Sequence, residues 1–174
     1  MRLQFIPPLL HELDTVECEA IACVVWEDVR PMDGLAALCD WRFAGRLSRL
    51  LMDGFVTGKL GEVTLVPGRP ALAAEKLFLL GGGPSIGFDE TRFDGIVETL
   101  LRTLGGVSAR SVLSQLPGRQ ANWLAPERAA DRLLGALAAP RARNVSWTLV
   151  EDLEGQRRIE QHMIEERRRI RPEA

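Results

Sequence analysis

A buried strand, a glycine-rich turn and an amphipathic helix follow one another between residues 76 and 106, and this order constrains the fold more than any other feature. The strand, KLFLLG, is a short and continuous apolar run, which is typical of a buried strand. Asp89 is placed to cap the helix, and Phe88 to pack against Phe93 across its first turn. Six apolar residues recur at helical spacing before Gly105-Gly106: Phe93, Ile96, Val97, Leu100, Leu101 and Leu104. Such a stripe packs on a sheet.

The rest of the chain continues this alternation of strands and helices. Apolar runs predict five further strands, at residues 3–6, 19–27, 62–67, 111–118 and 144–151. Helical spacing predicts one helix from Leu35 to Leu51, with Asp33 as N-cap and Gly54 as stop, and another over 125–140. The strands at 62–67 and 76–81 are spaced as neighbours in a hairpin or at a sheet edge. We therefore predict a three-layer α/β/α domain with a mixed, largely parallel sheet.

Length and charge exclude several classes of protein. A chain of 174 residues is long enough for one ordinary domain with its own core. Its formal net charge of -2 argues against a nucleic-acid partner, which would require a basic patch. No apolar run approaches the ~20 residues of a membrane span, and no leader-like segment opens the sequence. We expect no membrane partner and a cytoplasmic location.

The cysteines and histidines form no recognisable metal site. Cys18, Cys23 and Cys39 lack CxxC spacing and lie in or beside apolar segments, which favours buried free thiols over a disulfide or a metal site. His11 and His162 are far apart in the sequence, and neither has a second ligand at helical spacing. We therefore expect no metal and no cofactor.

Two glycine-rich segments resemble phosphate-binding loops but miss the required spacing. In GGGPSIG, a dinucleotide fingerprint that starts at Gly81 needs a glycine at position 86, where Ile86 stands. In DGFVTGKLGE, Leu60 occupies the place of the P-loop hydroxyl, so magnesium would lack that ligand. Turns that require positive φ explain these glycines better than phosphate binding does.

No group of residues predicts covalent or acid–base catalysis. Ser85 lacks the G-x-S-x-G context of a nucleophile, and neither histidine has an identifiable orienting partner. The acidic pairs 89–90 and 151–152 lie at predicted helix starts, where negative charge offsets the helix macrodipole. We expect no catalytic residue in this chain.

Residues 34–68, GLAALCDWRFAGRLSRLLMDGFVTGKLGEVTLVPG, and 75–83, EKLFLLGGG, resemble the N-terminal domain of the leucyl aminopeptidase family. A helix, a loop containing G-K-x-G-E, a strand, and a second strand with a glycine-rich turn occur there in the same order. The match covers roughly residues 19–150 and is most specific at Gly58, Lys59, Gly61 and Glu62. The resemblance implies a macro-domain-like fold.

The same resemblance bears on catalysis. Full-length members add a larger domain that holds two metal ions through lysine, aspartate and glutamate, and that contains the signature N-T-D-A-E-G-R. No segment of these 174 residues resembles that signature, so no catalytic residue can be transferred. We expect a homologue of the non-catalytic half only.

Three functions are consistent with these observations. The first is a stand-alone interaction or regulatory module, with a protein partner or self-association. The second is a macro-like binder of ADP-ribose or another nucleotide, and the third is an accessory subunit of a separate peptidase. The ligand-binding residues would then be Gly58, Lys59, Gly61, Glu62, Gly81, Gly82, Gly83 and Ser85.

The domain organisation is predicted to have two parts. Residues 1–150 are expected to form the aminopeptidase-like domain, and 151–174 a charged C-terminal helix packed on it or extending from it. Between residues 153 and 170 this helix has a thin apolar stripe of Ile159, Met163 and Ile170. A charged helix with such a thin apolar stripe is usually a solvated cap on the domain. It is less often a helix that binds a partner.

Overall fold

The computed structural model describes residues 3–138 and 145–170, with side chains described as far as residue 166. The strands are β1 (Leu3–Ile6), β2 (Ala20–Trp26), β3 (Val63–Pro67), β4 (Lys76–Gly83), β5 (Ser111–Ser114) and β6 (Ser146–Val150). The helices are α1 (Leu10–Thr15), α2 (Gly34–Arg42), α3 (Arg46–Met52), α4 (Glu90–Gly106), α5 (Pro126–Leu137) and α6 (Leu153–Ile170), with a 3-10 turn at Arg119–Ala121.

The strands form one sheet in the order β1-β6-β5-β2-β4-β3. Every neighbouring pair is parallel except β3 and β4, which are antiparallel and joined as the predicted hairpin. β1 and β3 are the two edge strands. The mixed, largely parallel sheet that the sequence predicts is confirmed.

Two cores cover the two faces of the sheet, and β2 contributes to both. Ile21, Cys23 and Val25 lie in the core beneath α2 and α3, whereas Ala20 and Ala22 lie in the core beneath α4 and α5. The nearly continuous apolar sequence of β2 is therefore the consequence of burial on both sides. The predicted stripe of α4, from Phe93 to Leu104, is buried in full.

The helix predicted from Leu35 to Leu51 is in fact two helices. α2 ends at Arg42, and the backbone turns through Ala44 and Gly45, both with positive φ, before α3 begins. The Asp40 carboxylate accepts hydrogen bonds from both the amide and the hydroxyl of Ser48. This carboxylate replaces the backbone acceptors that a continuous helix would offer to Ser48.

Several predicted boundaries also shift. β4 extends to Gly83, so the three glycines lie in the strand rather than in the turn that follows it. β5 ends at Ser114, and α4 includes Gly105 and Gly106 instead of ending before them. Pro140, predicted to follow α5, lies outside the described residues.

α6 packs against α5, and charged side chains join the two helices. Arg158 forms a two-point ion pair with Glu127, and His162 contacts Asp131 at 2.9 Å. Ile159 is fully buried, while Met163 is half-buried. Among the described residues, none of the helices is both long enough and apolar enough to span a bilayer.

Candidate functional site

The two glycine-rich segments lie side by side. The Gly83 amide donates to the Gly58 carbonyl at 2.9 Å, and the Gly81 amide donates to the Glu62 carbonyl at 2.8 Å. Because β3 runs antiparallel to β4, the loop that enters β3 meets the carboxyl end of β4. The structure thus brings together most of the predicted ligand residues, whose role in binding stays a prediction.

Several polar groups of this region are already engaged within the chain. The Glu62 carboxylate accepts from the Gly58 amide at 2.7 Å, from the Thr57 amide at 3.0 Å and from the Thr57 hydroxyl at 3.2 Å. Lys59 has an exposed side chain. A phosphate at this loop would have to compete with the Glu62 carboxylate for these amides.

Close backbone approach explains the first two glycines of β4. A Cβ on Gly81 would lie 1.8 Å from the carbonyl oxygen of Lys59, and one on Gly82 would lie 2.6 Å from the ring of Trp26. Neither has positive φ, which corrects the expectation that all these glycines serve turns. Positive φ is found at Gly83 in β4, and at Gly58 and Gly61 in the other segment.

Ser85 is held by an acidic side chain. Its amide donates to one carboxylate oxygen of Asp28 at 2.7 Å, and its hydroxyl donates to the other at 2.8 Å. The amide hydrogen bond is the largest cause that lowers the pKa of Asp28. This contact ties the loop after β2 to the loop after β4.

The crevice expected for a ligand in this topology lies elsewhere, between the carboxyl ends of β2 and β5. The connection after β2 leads to β3 and β4, whereas the connection after β5 leads the opposite way to β6. Open α/β sheets bind ligands at such a switch point. The sequence did not reveal this switch point because the order of the strands is a tertiary property.

Side chains of this chain pack closely at that switch point. The Leu35 amide donates to Oε1 of Gln115 at 2.8 Å, and a Cβ on Gly34 would lie only 2.1 Å from the same atom. Asp33 stands at the N-cap position of α2 but its side chain caps no amide. Burial raises the pKa of Asp33, which also has a hydrogen bond with Gln120.

Three aromatic rings cover the adjacent ends of β2 and β4. Trp26 packs edge-on against Phe88 at 5.2 Å and against Trp123 at 4.9 Å between ring centroids. The indole N–H of Trp26 is buried and has no hydrogen-bond partner among the described residues. Trp123 is 38% exposed, so it forms the outer wall of the cluster.

A buried ion pair supports the loop after β5. Nε and Nη2 of Arg119 donate to the two carboxylate oxygens of Glu151, both at 2.8 Å. Nη1 of Arg119 donates to Asn122 and to the carbonyl of Leu124. All three guanidinium nitrogens therefore have partners within the chain, which fits a structural role.

A different surface is open. We define the β3 edge surface as Leu60, Val63 and Leu65. Leu60 also lines a neighbouring groove of about 400 Å³, whose other walls are β4 and α4. The three side chains are 57%, 39% and 54% exposed. The groove is lined mainly by apolar atoms, including those of Gly61, Leu80 and Ile96. Apolar surface gathered in one place is typical of a contact with another molecule.

The described ranges contain no group of three or more histidine, cysteine, aspartate or glutamate side chains that could hold a metal ion. The three cysteines are free thiols, with Cys23 and Cys39 buried and Cys18 half-buried. Sγ of Cys23 and Sγ of Cys39 lie 3.8 Å apart. The prediction of buried free thiols is thus confirmed for two of the three.

Comparison with known proteins matches residues 24–138 to the model of the cytosol aminopeptidase family, N-terminal domain. A probable cytosol aminopeptidase of Thioalkalivibrio sulfidiphilus is 32% identical over 114 residues, which are 62% of this chain and 23% of the relative. The chain therefore spans about a quarter of that relative's length.

Two solved structures have a similar fold. A Trypanosoma brucei macrodomain in complex with ADP has a TM-score of 0.69 and 16% identity, with coverage of 92% of this chain and 67% of the macrodomain. A tomato leucine aminopeptidase mutant has a TM-score of 0.62 and 14% identity, with coverage of 92% and 35%. At these identities the likeness shows the fold alone, which is the macrodomain fold.

Proposed function

Since the chain belongs to the cytosol aminopeptidase family through its N-terminal domain, we propose that it acts as a non-catalytic interaction module, which binds an extended, uncharged protein segment along β3. One observation carries this proposal: the outer edge of β3 is open and has exposed apolar side chains. Addition of a strand to such an edge is an established way for domains to bind proteins.

The hydrogen-bonding phase of β3 supports strand addition. The Glu62 carbonyl accepts from Gly81, and the Gly68 amide donates to Glu75, so the even-numbered residues between them bond to β4. In an antiparallel ladder the intervening residues direct their amide and carbonyl groups to the other side. Val63 and Leu65 therefore present unpaired groups at the edge of the sheet.

The composition of β3 indicates the chemistry of the partner. Val63–Pro67 contains no charged residue, although edge strands are usually protected by charges, prolines or bulges. Pro67 is the single such device, and it stands where its missing amide would have pointed outward. An uncharged, extended segment can bind here without burying an unpaired charge.

The opposite edge of the sheet lacks these properties. β1 borders a groove whose lining includes Glu17, Gln156 and Glu160, and whose surface is mainly polar. Burial of these groups by a partner strand would cost free energy unless each found a new hydrogen bond. The two edges of the sheet thus differ in polarity, and the apolar edge at β3 is the better site for an added strand.

A labelled peptide tests the proposal directly. The peptide GEVTLVPGR, residues 61–69, has an uncharged centre at 63–67 and should bind the chain saturably in a fluorescence-anisotropy titration. Amide exchange of Val63 and Leu65 should slow. Leu65→Lys should weaken binding at least tenfold. Ile164→Lys is the matched control, since Ile164 is 51% exposed on α6, far from β3 in sequence. Absence of saturable binding, or equal binding by both variants, would contradict the proposal.

A nucleotide-type ligand is the second candidate, because a structure of similar fold was determined in complex with ADP. Such a ligand would enter between the carboxyl ends of β2 and β5 and displace Gln115 from Gly34. Thermal unfolding against ADP and ADP-ribose tests this idea, since any ligand of the folded state raises Tm. A saturable rise in Tm with either nucleotide would support the candidate; no rise would contradict it.

A further inference from the structure

We propose that the segment bound along β3 is β3 of a second copy of this chain, so that two sheets join edge to edge about a two-fold axis at Thr64. This inference rests on the proposed function and names its partner. An isologous contact of this kind requires one surface that is complementary to itself. β3 meets this requirement in its hydrogen bonds, its apolar side chains and its charges.

The hydrogen bonds select the register. With the axis at Thr64, Val63 of one copy lies opposite Leu65 of the other, and both outward-facing residues exchange amide and carbonyl bonds. Four bonds form, and every outward group of Val63 and Leu65 is paired. With the axis at Leu65, Val63 would face Pro67, which has no amide, and the Val63 carbonyl would stay unpaired.

The side chains agree with the same register. Val63 and Leu65 lie on the α4 side of the sheet, where Leu65 is paired with the core residue Phe78 of β4. In the joined sheet Val63 of each copy would pack beside Leu65 of the other. Their 39% and 54% exposure would fall, which supplies the favourable hydrophobic term for association.

The charges are compatible with two identical strands in contact. Thr64 would face Thr64, a pairing that stabilises antiparallel strands, and Glu62 would face Val66. No charge within 63–67 would oppose a like charge, because that segment has none. The Glu62 carboxylate is already paired with Thr57 and Gly58, so it needs no rearrangement.

Sedimentation equilibrium of the full chain between 1 and 100 μM tests the association. The native chain should show a reversible monomer–dimer equilibrium, and Leu65→Lys should raise the dimer Kd at least tenfold, with Ile164→Lys unchanged. Circular dichroism and Tm of both variants confirm that they are folded. A native chain that is monomeric at 100 μM overturns the inference.

A cysteine placed on the axis tests the register by covalent capture of the dimer. The pairing would bring the two Cα atoms at position 64 to about 4.5 Å, within disulfide range. Thr64→Cys should form a covalent dimer with oxidised glutathione, which accepts the two electrons and is released as two reduced molecules. Lys59→Cys, exposed and displaced from the axis, should not. Equal crosslinking of both variants overturns the register.

The two proposals can fail separately. If the β3 peptide binds while the chain stays monomeric and Thr64→Cys does not crosslink, the interaction module stands and the second copy is the wrong partner. If the peptide does not bind either, both proposals are wrong.

Discussion

Arg119 and Glu151 form a two-point ion pair in which each side chain is only 4% exposed. The pair links the loop after β5 to the end of β6, two neighbouring strands of the sheet. Each of the three guanidinium nitrogens has an acceptor, because Asn122 and Leu124 accept from the third. Two consequences for stability follow from this burial.

Removal of either side chain of this ion pair should lower the stability of the fold. Glu151→Ala leaves the Arg119 charge buried without its carboxylate, and we expect a loss of about 3–5 kcal/mol in the free energy of unfolding. Urea denaturation of the purified variant measures this loss. The double variant Arg119→Met, Glu151→Leu should recover part of it, since two apolar side chains leave no buried charge. A double variant less stable than Glu151→Ala would contradict this explanation.

Two glycine-to-alanine substitutions should change the free energy of unfolding in opposite directions. Gly82→Ala forces a methyl group to within 2.6 Å of the Trp26 ring, so we expect a loss of about 1–3 kcal/mol. Gly105→Ala meets no atom within 4 Å and lies in α4, where alanine is favoured over glycine by about 1 kcal/mol. Thermal unfolding compares the two. Equal changes in Tm would show that contact with the Trp26 ring does not destabilise Gly82→Ala.

Alkylation of Cys18 should be slow in the folded chain. Burial raises the pKa of Cys18 from 9.0 to about 11. The reactive thiolate fraction at pH 8 therefore falls about 90-fold relative to an unperturbed thiol. Iodoacetamide labelling followed by mass spectrometry should show a rate at Cys18 that rises about tenfold per pH unit from 8 to 10. A rate that levels off above pH 9, as it would for a thiol of pKa 9.0, would contradict the raised pKa.

The same shift has a consequence for stability. Because the folded pKa lies above the unfolded value, the contribution of the neutral thiol is fully present below pH 9 and is lost as pH rises toward 11. Cys18→Ala should therefore flatten the decline of Tm in this interval.

Asp33 and Asp28 should respond to pH in opposite directions. Burial raises the pKa of Asp33, so its favourable contribution is present below pH 3.8 and lost as pH rises through the folded value. Asp33→Asn should increase Tm at pH 7 by a few degrees at most, with no gain at pH 3. The pKa of Asp28 is lowered, so its favourable contribution is present above pH 3.8 and is lost as pH falls through the folded value. Asp28→Asn should therefore decrease Tm more at pH 7 than at pH 3. Differential scanning fluorimetry from pH 3 to 7 distinguishes these signs.

The helices and strands were predictable where burial imposes a regular spacing of apolar residues on the sequence. The strands β2 and β4 and the stripe of α4 are examples, since each buries a continuous or helical pattern. The break between α2 and α3 was missed because Phe43 and Leu47 keep the helical spacing across it. The decisive contact, from Asp40 to Ser48, uses a polar pair that no apolar pattern reveals.

The site was less accessible to prediction than the fold. Gln115 caps α2 from 80 residues away in the sequence, and Arg119 meets Glu151 only after β5 and β6 are paired. The glycines of β4 were identified correctly as special, but the reason at Gly81 and Gly82 is close approach rather than a turn. The β3 edge had one signal, Pro67 at the end of a strand predicted near a sheet edge.

The Glu62 carboxylate gives the loop before β3 a tethered anion of its own. A group attached to the chain only four residues from the Gly58 amide has an effective concentration far above that of any free anion in solution. Inorganic phosphate at millimolar levels would thus be a poor competitor, and the loop should keep one conformation whatever the buffer. That constancy fixes where β3 begins, and so fixes the position of the edge on which a second strand would bind.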